Sequence, residues 1–104
     1  MNHFFHPEAA QEFEDAVHYY RERGGILSDR FASELRTAIQ RILAASQRWR
    51  VLEEDVRRCP VRVFPYCVLY TIERDYVLII AVAHVKREPG YWKHRLRPKP
   101  PEAP

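Results

Sequence analysis

The stretch that decides the fold runs from Cys67 to Ala83: Cys67-Val68-Leu69-Tyr70-Thr71-Ile72, then Glu73-Arg74-Asp75, then Tyr76-Val77-Leu78-Ile79-Ile80-Ala81-Val82-Ala83. Two runs rich in β-branched and aromatic residues flank a polar three-residue connection, the pattern of an antiparallel hairpin. The second run is apolar without interruption, which predicts a central strand covered on both faces. It is also far shorter than the roughly 20 residues needed to span a bilayer. Upstream, Val56, Arg58 and Pro60 alternate with Arg57, Cys59 and Val61. This is a weaker strand whose proline marks its end. If that strand runs on, Arg58 and Arg62 share a sheet face. Trp49 to Asp55, with its Glu53-Glu54-Asp55 cluster, reads as irregular.

Outward from the hairpin towards the N-terminus the period changes from two to between three and four. Ala9, Ala10, Phe13, Ala16, Val17 and Tyr20 form one apolar stripe, and Phe31, Leu35, Ala38, Ile39, Ile42 and Leu43 form another. Each predicts an amphipathic helix. Pro7 suits the first helical position, and Glu8 meets the positive end of the helix dipole. Gly24-Gly25 is expected to close the first helix, with Ser28 or Asp29 capping the second. Asn2-His3-Phe4-Phe5 precedes them as a first strand. The expected fold is α+β: an N-terminal strand, an antiparallel helical hairpin, then a three-stranded antiparallel meander, with the helices on one sheet face. Residues 1–97 form one domain, and 98–104, with four prolines, form a disordered tail.

The composition is that of a soluble globular protein: 104 residues, 46% hydrophobic and 30% charged. No charged-then-apolar leader opens the chain, so cytoplasm is the expected compartment. The only cysteines, Cys59 and Cys67, are expected as inert, half-buried free thiols that could face each other across a hairpin, with metal or redox use as the alternatives. Charge is segregated. Residues 1–47 carry a net −2 and residues 48–99 a net +6. A basic half of this kind points to a polyanion or an acidic protein partner.

No glycine-rich phosphate loop is possible with three glycines, and no Ser/His/Asp or metal-ligand spacing appears. Neither a cofactor nor a metal is expected. Glu8, Glu12 and Asp15 fall on one helix and read as its solvated face. What remains is a set of arginines, Arg57, Arg58, Arg62, Arg74, Arg87 and Arg95, with guanidinium forks suited to phosphate or carboxylate. Tyr66, Tyr70, Tyr91 and Trp92 offer faces on which a base can stack, although Tyr70 suits a core equally well. Lys93 adds charge beside Trp92. His84 stands where the long strand ends, a place for an acid–base group or for a simple hydrogen bond to neighbouring backbone.

Arg62-Val63-Phe64-Pro65-Tyr66, Val68-Leu69-Tyr70 and Ile80-Ala81-Val82-Ala83-His84 together resemble the C-terminal half of the RelE/ParE toxin superfamily. Lys86-Arg87-Glu88-Pro89 and Tyr91-Trp92-Lys93-His94-Arg95 are similar to the ending of plasmid-stabilisation proteins of the ParE branch. Phe5-His6-Pro7-Glu8-Ala9 and Phe13-Glu14-Asp15-Ala16 are similar to its first helix. The likeness covers Phe4 to Arg95.

The resemblance implies the toxin of a type II toxin–antitoxin module, arresting growth until a cognate antitoxin wraps it with an extended segment. Operator DNA would be met only through the antitoxin. Two activities follow from the superfamily. A ParE-like toxin poisons DNA gyrase and is not itself an enzyme. Arg57, Arg58, Arg74, Trp92, Lys93 and Arg95 would then meet the target. A RelE-like toxin cuts messenger RNA on the ribosome, and Arg62, Arg87, Tyr91 and His84 would be its catalytic residues. Arg57 and Arg58 stand where RelE carries paired lysines, and arginine clamps charge but shuttles protons poorly. The nearer likeness favours gyrase. A non-toxic binding module for protein or nucleic acid is the further alternative.

Overall fold

The computed structural model describes residues 1–96, and the expected tail at 98–104 lies outside them. The chain runs β1 (Asn2–Phe5), α1 (Pro7–Arg21), α2 (Gly25–Ala44), β2 (Arg50–Glu53), β3 (Val56–Pro60), β4 (Tyr66–Ile72) and β5 (Tyr76–His84), ending in one 3-10 turn at Lys93–Arg95. The five strands form a single sheet in the order β1-β5-β4-β3-β2. β1 lies parallel to β5, with Phe5 beside Ile79, and the remaining pairs are antiparallel. The α+β architecture expected from the sequence is present, with one strand more.

That extra strand is β2, in the segment read as irregular. All four of its residues are exposed, so no inside–outside alternation marks it. Its turn into β3 places Glu54 and Asp55 at φ 53° and 65°. Two successive left-handed residues are what a tight hairpin requires, but the usual Asn-Gly signal is replaced by two acids.

The helix ends also differ from expectation. α1 stops at Arg21, before the glycines, and Gly24 at φ 150° instead opens α2. The Gly24 carbonyl accepts from the N–H groups of Leu27 and Ser28. Ser28, expected as a cap, lies inside the helix and donates its hydroxyl to the Gly25 carbonyl at 2.9 Å. At the start of α1 the cap is His6, whose Nδ1 accepts from the Glu8 N–H.

Two apolar layers hold the sheet. On the helix side Ala9, Phe31, Leu35, Ile42, Val68, Tyr70, Val77 and Ile79 are fully buried. On the far side Val56, Leu69, Ile80, Ala81 and Ala83 are covered by the chain after β5, with Trp92 as the plug. A bulge makes this possible: Leu69 pairs with Ala81 and Tyr70 with Ile79, leaving Ile80 as an extra residue of β5. Both faces of β5 are therefore apolar, as its unbroken sequence predicts. Cys59 belongs to the helix-side layer and Cys67 to the far one, so the facing arrangement does not occur and both are free thiols. Burial pushes both thiols above their ordinary range.

Candidate functional site

The sheet end where β3 passes into β4, and where β5 stops, gathers the exposed cations. β3 ends at Pro60, so Arg62 is carried on a loop and does not share strand parity with Arg58. The loop is pinned by three backbone bonds: Val61 N–H to the Tyr66 carbonyl, Tyr66 N–H to Phe64, and Val85 N–H to Pro65. Phe64 anchors it by packing edge-on to Tyr20 and Phe31, with ring centroids 5.0 and 5.2 Å apart. Arg62, Lys86 and Arg87 project from this end as exposed side chains. His84 sits edge-on to Tyr66 at 5.2 Å, and its Nδ1 accepts from the Lys86 N–H. A cleft of about 440 Å³ opens between this end and α1, lined by Tyr19, Arg23, Tyr66, His84, Lys86 and Arg87. The Arg23 guanidinium lies over the Tyr19 ring, its Cζ 3.5 Å from the centroid.

Beside the cleft the C-terminal segment is tied down by a carboxylate from α1. β1 covers β5 only as far as Ile79, after which the edge of β5 is open. Glu12 closes it: Oε1 accepts from the Val82 N–H at 3.0 Å and from Arg95 Nη1 at 2.8 Å. Oε2 accepts from the Tyr91 hydroxyl at 2.7 Å and from Arg95 Nη2 at 3.1 Å. Arg95 also donates to the Ile80 carbonyl. Glu8 accepts from His94 at 2.8 Å and lies 3.5 Å from Arg95 Nε. The contact with His94, and the charges of Arg95 and His6, hold its carboxyl below the usual range. Burial, and then the bond to Glu12, push the Tyr91 hydroxyl far above the ordinary phenol range.

The expected site residues thus separate. Arg62, His84 and Arg87 meet at one end, and Arg87 stacks on Tyr91 at 3.8 Å. Arg95 and Trp92 turn inward, 7% and 3% exposed, as parts of the strap that closes the far face. Arg58 lines a shallower depression of that face with Arg50, Leu52 and Tyr91. Lys93 pairs with Glu53 at 3.2 Å. Arg57 donates to the Gln47 and Trp49 carbonyls, bracing the α2–β2 connection. Arg74 stands in the β4–β5 turn, at the opposite end of β5 and on the order of 25 Å along the strand from His84. Tyr70 is core. Glu12, read as solvated, was the residue missed. Its signal is spacing: it lies three residues after Ala9 and four before Ala16, on the buried stripe itself. Ala10, counted in that stripe, is exposed instead.

Among the described residues no cluster of His, Cys, Asp and Glu is placed to hold a metal, and no helix is long and apolar enough to cross a membrane. None of the curated proteins searched matches the sequence. Among solved structures, a chain of the chromosomal ParDE TA system from P. aeruginosa superposes with a TM-score of 0.71 at 10% identity, covering 81% of this chain and 95% of that one. At that identity the likeness is one of fold. The sequence also matches the family described as ParE toxin of type II toxin-antitoxin system, parDE, over residues 4–89. A match across the helical hairpin, the sheet and the cationic end settles the family: the chain belongs to the ParE toxins of type II toxin–antitoxin systems.

Proposed function

We propose that this toxin arrests growth by poisoning DNA gyrase, in the ParE manner, and that a cognate antitoxin neutralises it. The observation that carries the choice is the Tyr91 hydroxyl, donated to Glu12 and held far above the ordinary phenol range. A ribosome-dependent nuclease of the RelE kind would call on such a group for proton transfer, and here it is engaged in structure. The exposed cations that remain, Arg62, Lys86 and Arg87, are suited to clamp negative charge. The sequence pI near 9.1 suits an acidic antitoxin segment. The test is brief induction of the protein without antitoxin, followed by a search for trapped gyrase–DNA cleavage complexes and by primer extension on a translated message. Trapped complexes with intact message are expected. New codon-phased 5′ ends would transfer the assignment to mRNA cleavage, with Arg62, Arg87 and His84 as the residues to mutate.

A further inference from the structure

Among the described residues three non-glycine positions have positive φ: Glu54, Asp55 and Val63. The first two close a hairpin, and an aspartate tolerates that conformation. Val63, at φ 75°, is different. It is β-branched, and for such a side chain the left-handed region is a genuine outlier. The backbone need is plain, since the reversal lets Phe64 enter the aromatic core, where it is 8% exposed. Glycine or asparagine would make the same reversal with less strain. What valine adds is its side chain, and that side chain is 69% exposed. It contributes nothing to the core in return for the strain.

Its surroundings say what it is for. On the adjoining loop Val85, bonded through its N–H to the Pro65 carbonyl, is 52% exposed. Arg62, Lys86 and Arg87 flank the two valines in sequence, and all three are exposed. Apolar groups within a charged border are the anatomy of a protein interface. Strain held at an exposed contact residue is a recognised mark of function.

We infer that Val63 is the strained centre of a docking knuckle, completed by Val85, which seats on an apolar spot with an acidic rim on the toxin's target protein. The inference rests on the toxin reading and names which atoms meet the target. It requires stability and toxicity to move in opposite directions at one residue. Val63→Asn should raise Tm by about 4 °C or more as strain is released. The same variant should need roughly tenfold more protein to arrest growth. Val85→Asn, at an unstrained position, should weaken arrest comparably with Tm unchanged. Ile26→Asn, at the exposed tip of the helical hairpin, is the control and should alter neither.

The measurements are thermal melts of purified protein and growth arrest at matched protein levels. Arrest by Val63→Asn as strong as wild type would overturn the inference alone. An unchanged or lower Tm would remove its premise of strain. Duplex DNA binding by the isolated protein, weakened in both valine variants, would make the partner nucleic acid and overturn the protein assignment. Wild-type protein that leaves growth untouched would overturn the toxin reading, and this inference with it.

Discussion

Tyr70 has no exposed surface, yet its hydroxyl reaches the Ser46 carbonyl at 2.6 Å, where the chain leaves α2. The side chain therefore serves twice: its ring fills the layer between sheet and helices, and its hydroxyl fixes the connection to β2. Tyr70→Phe keeps the ring and loses the bond, and should cost about 1 kcal/mol in urea unfolding at pH 7. Burial pushes this hydroxyl up to about 12, against 10 in the unfolded chain. A raised acid stabilises the fold fully below the unfolded value, and that contribution is lost as pH rises through the folded one. Stability should thus decline between pH 10 and about 12, and the phenylalanine variant should decline less steeply. Equal slopes for the two proteins would show that Tyr70 is not the group responsible. The same residue shows how the sequence misleads: a tyrosine on a basic sheet reads equally as core or as stacking platform. Its register opposite Arg57, on the helix side of β4, decides for core.

At the scale of elements, legibility followed periodicity. β1, α1 and the β4–β5 hairpin stand within a residue or two of where their apolar pattern placed them, because each pattern reports burial on a definite face. β2 had no pattern to read, since all four residues face solvent and what secures it is pairing with β3. Pairing partners are chosen in three dimensions, and only turn chemistry announces them in one. Here that chemistry is atypical: Glu54 and Asp55 hold φ 53° and 65° where Asn-Gly would be at ease. Glu54→Asn with Asp55→Gly should therefore stabilise the protein, by roughly 1 kcal/mol. A rise in the denaturant midpoint with an unchanged slope is the expected result. A fall would mean that the acids make contacts worth more than the strain they cause.

At the scale of the molecule, α1 and the C-terminal segment are joined by a buried ion pair. Glu12 of α1 and Arg95 of the C-terminal segment lie 83 positions apart and meet at 2.8 Å. Their side chains are 16% and 6% exposed. No local pattern reveals such a pair, which is why the basic C-terminal segment read as a contact surface throughout when part of it is a strap over the far face. Arg62, His84 and Arg87 were grouped only through the family resemblance, because the residue pattern alone set Arg62 beside Arg58 on a strand that in fact ends at Pro60. The pair also sets what the toxin's surface can be, since the strap carries Tyr91, and Arg87 stacks on Tyr91 at 3.8 Å. Loosening the strap would therefore blur the position of a cation next to the cleft. A double-mutant cycle examines this directly. Glu12→Met leaves a buried guanidinium without its partner, and Arg95→Met leaves a mostly buried carboxylate, so each should cost about 3–5 kcal/mol. In the double variant neither charge remains, and the cost should fall short of the sum by more than about 1 kcal/mol. It should not vanish, because the Val82 N–H at the open edge of β5 loses its acceptor in every variant lacking Glu12. Hydrogen exchange should follow the same order, with the amides of Lys93, Arg95 and Leu96 losing protection in the single variants first. Additive costs with unaltered exchange would show that Trp92 alone holds the strap, and that Arg87 is positioned by the β5 end and not by α1.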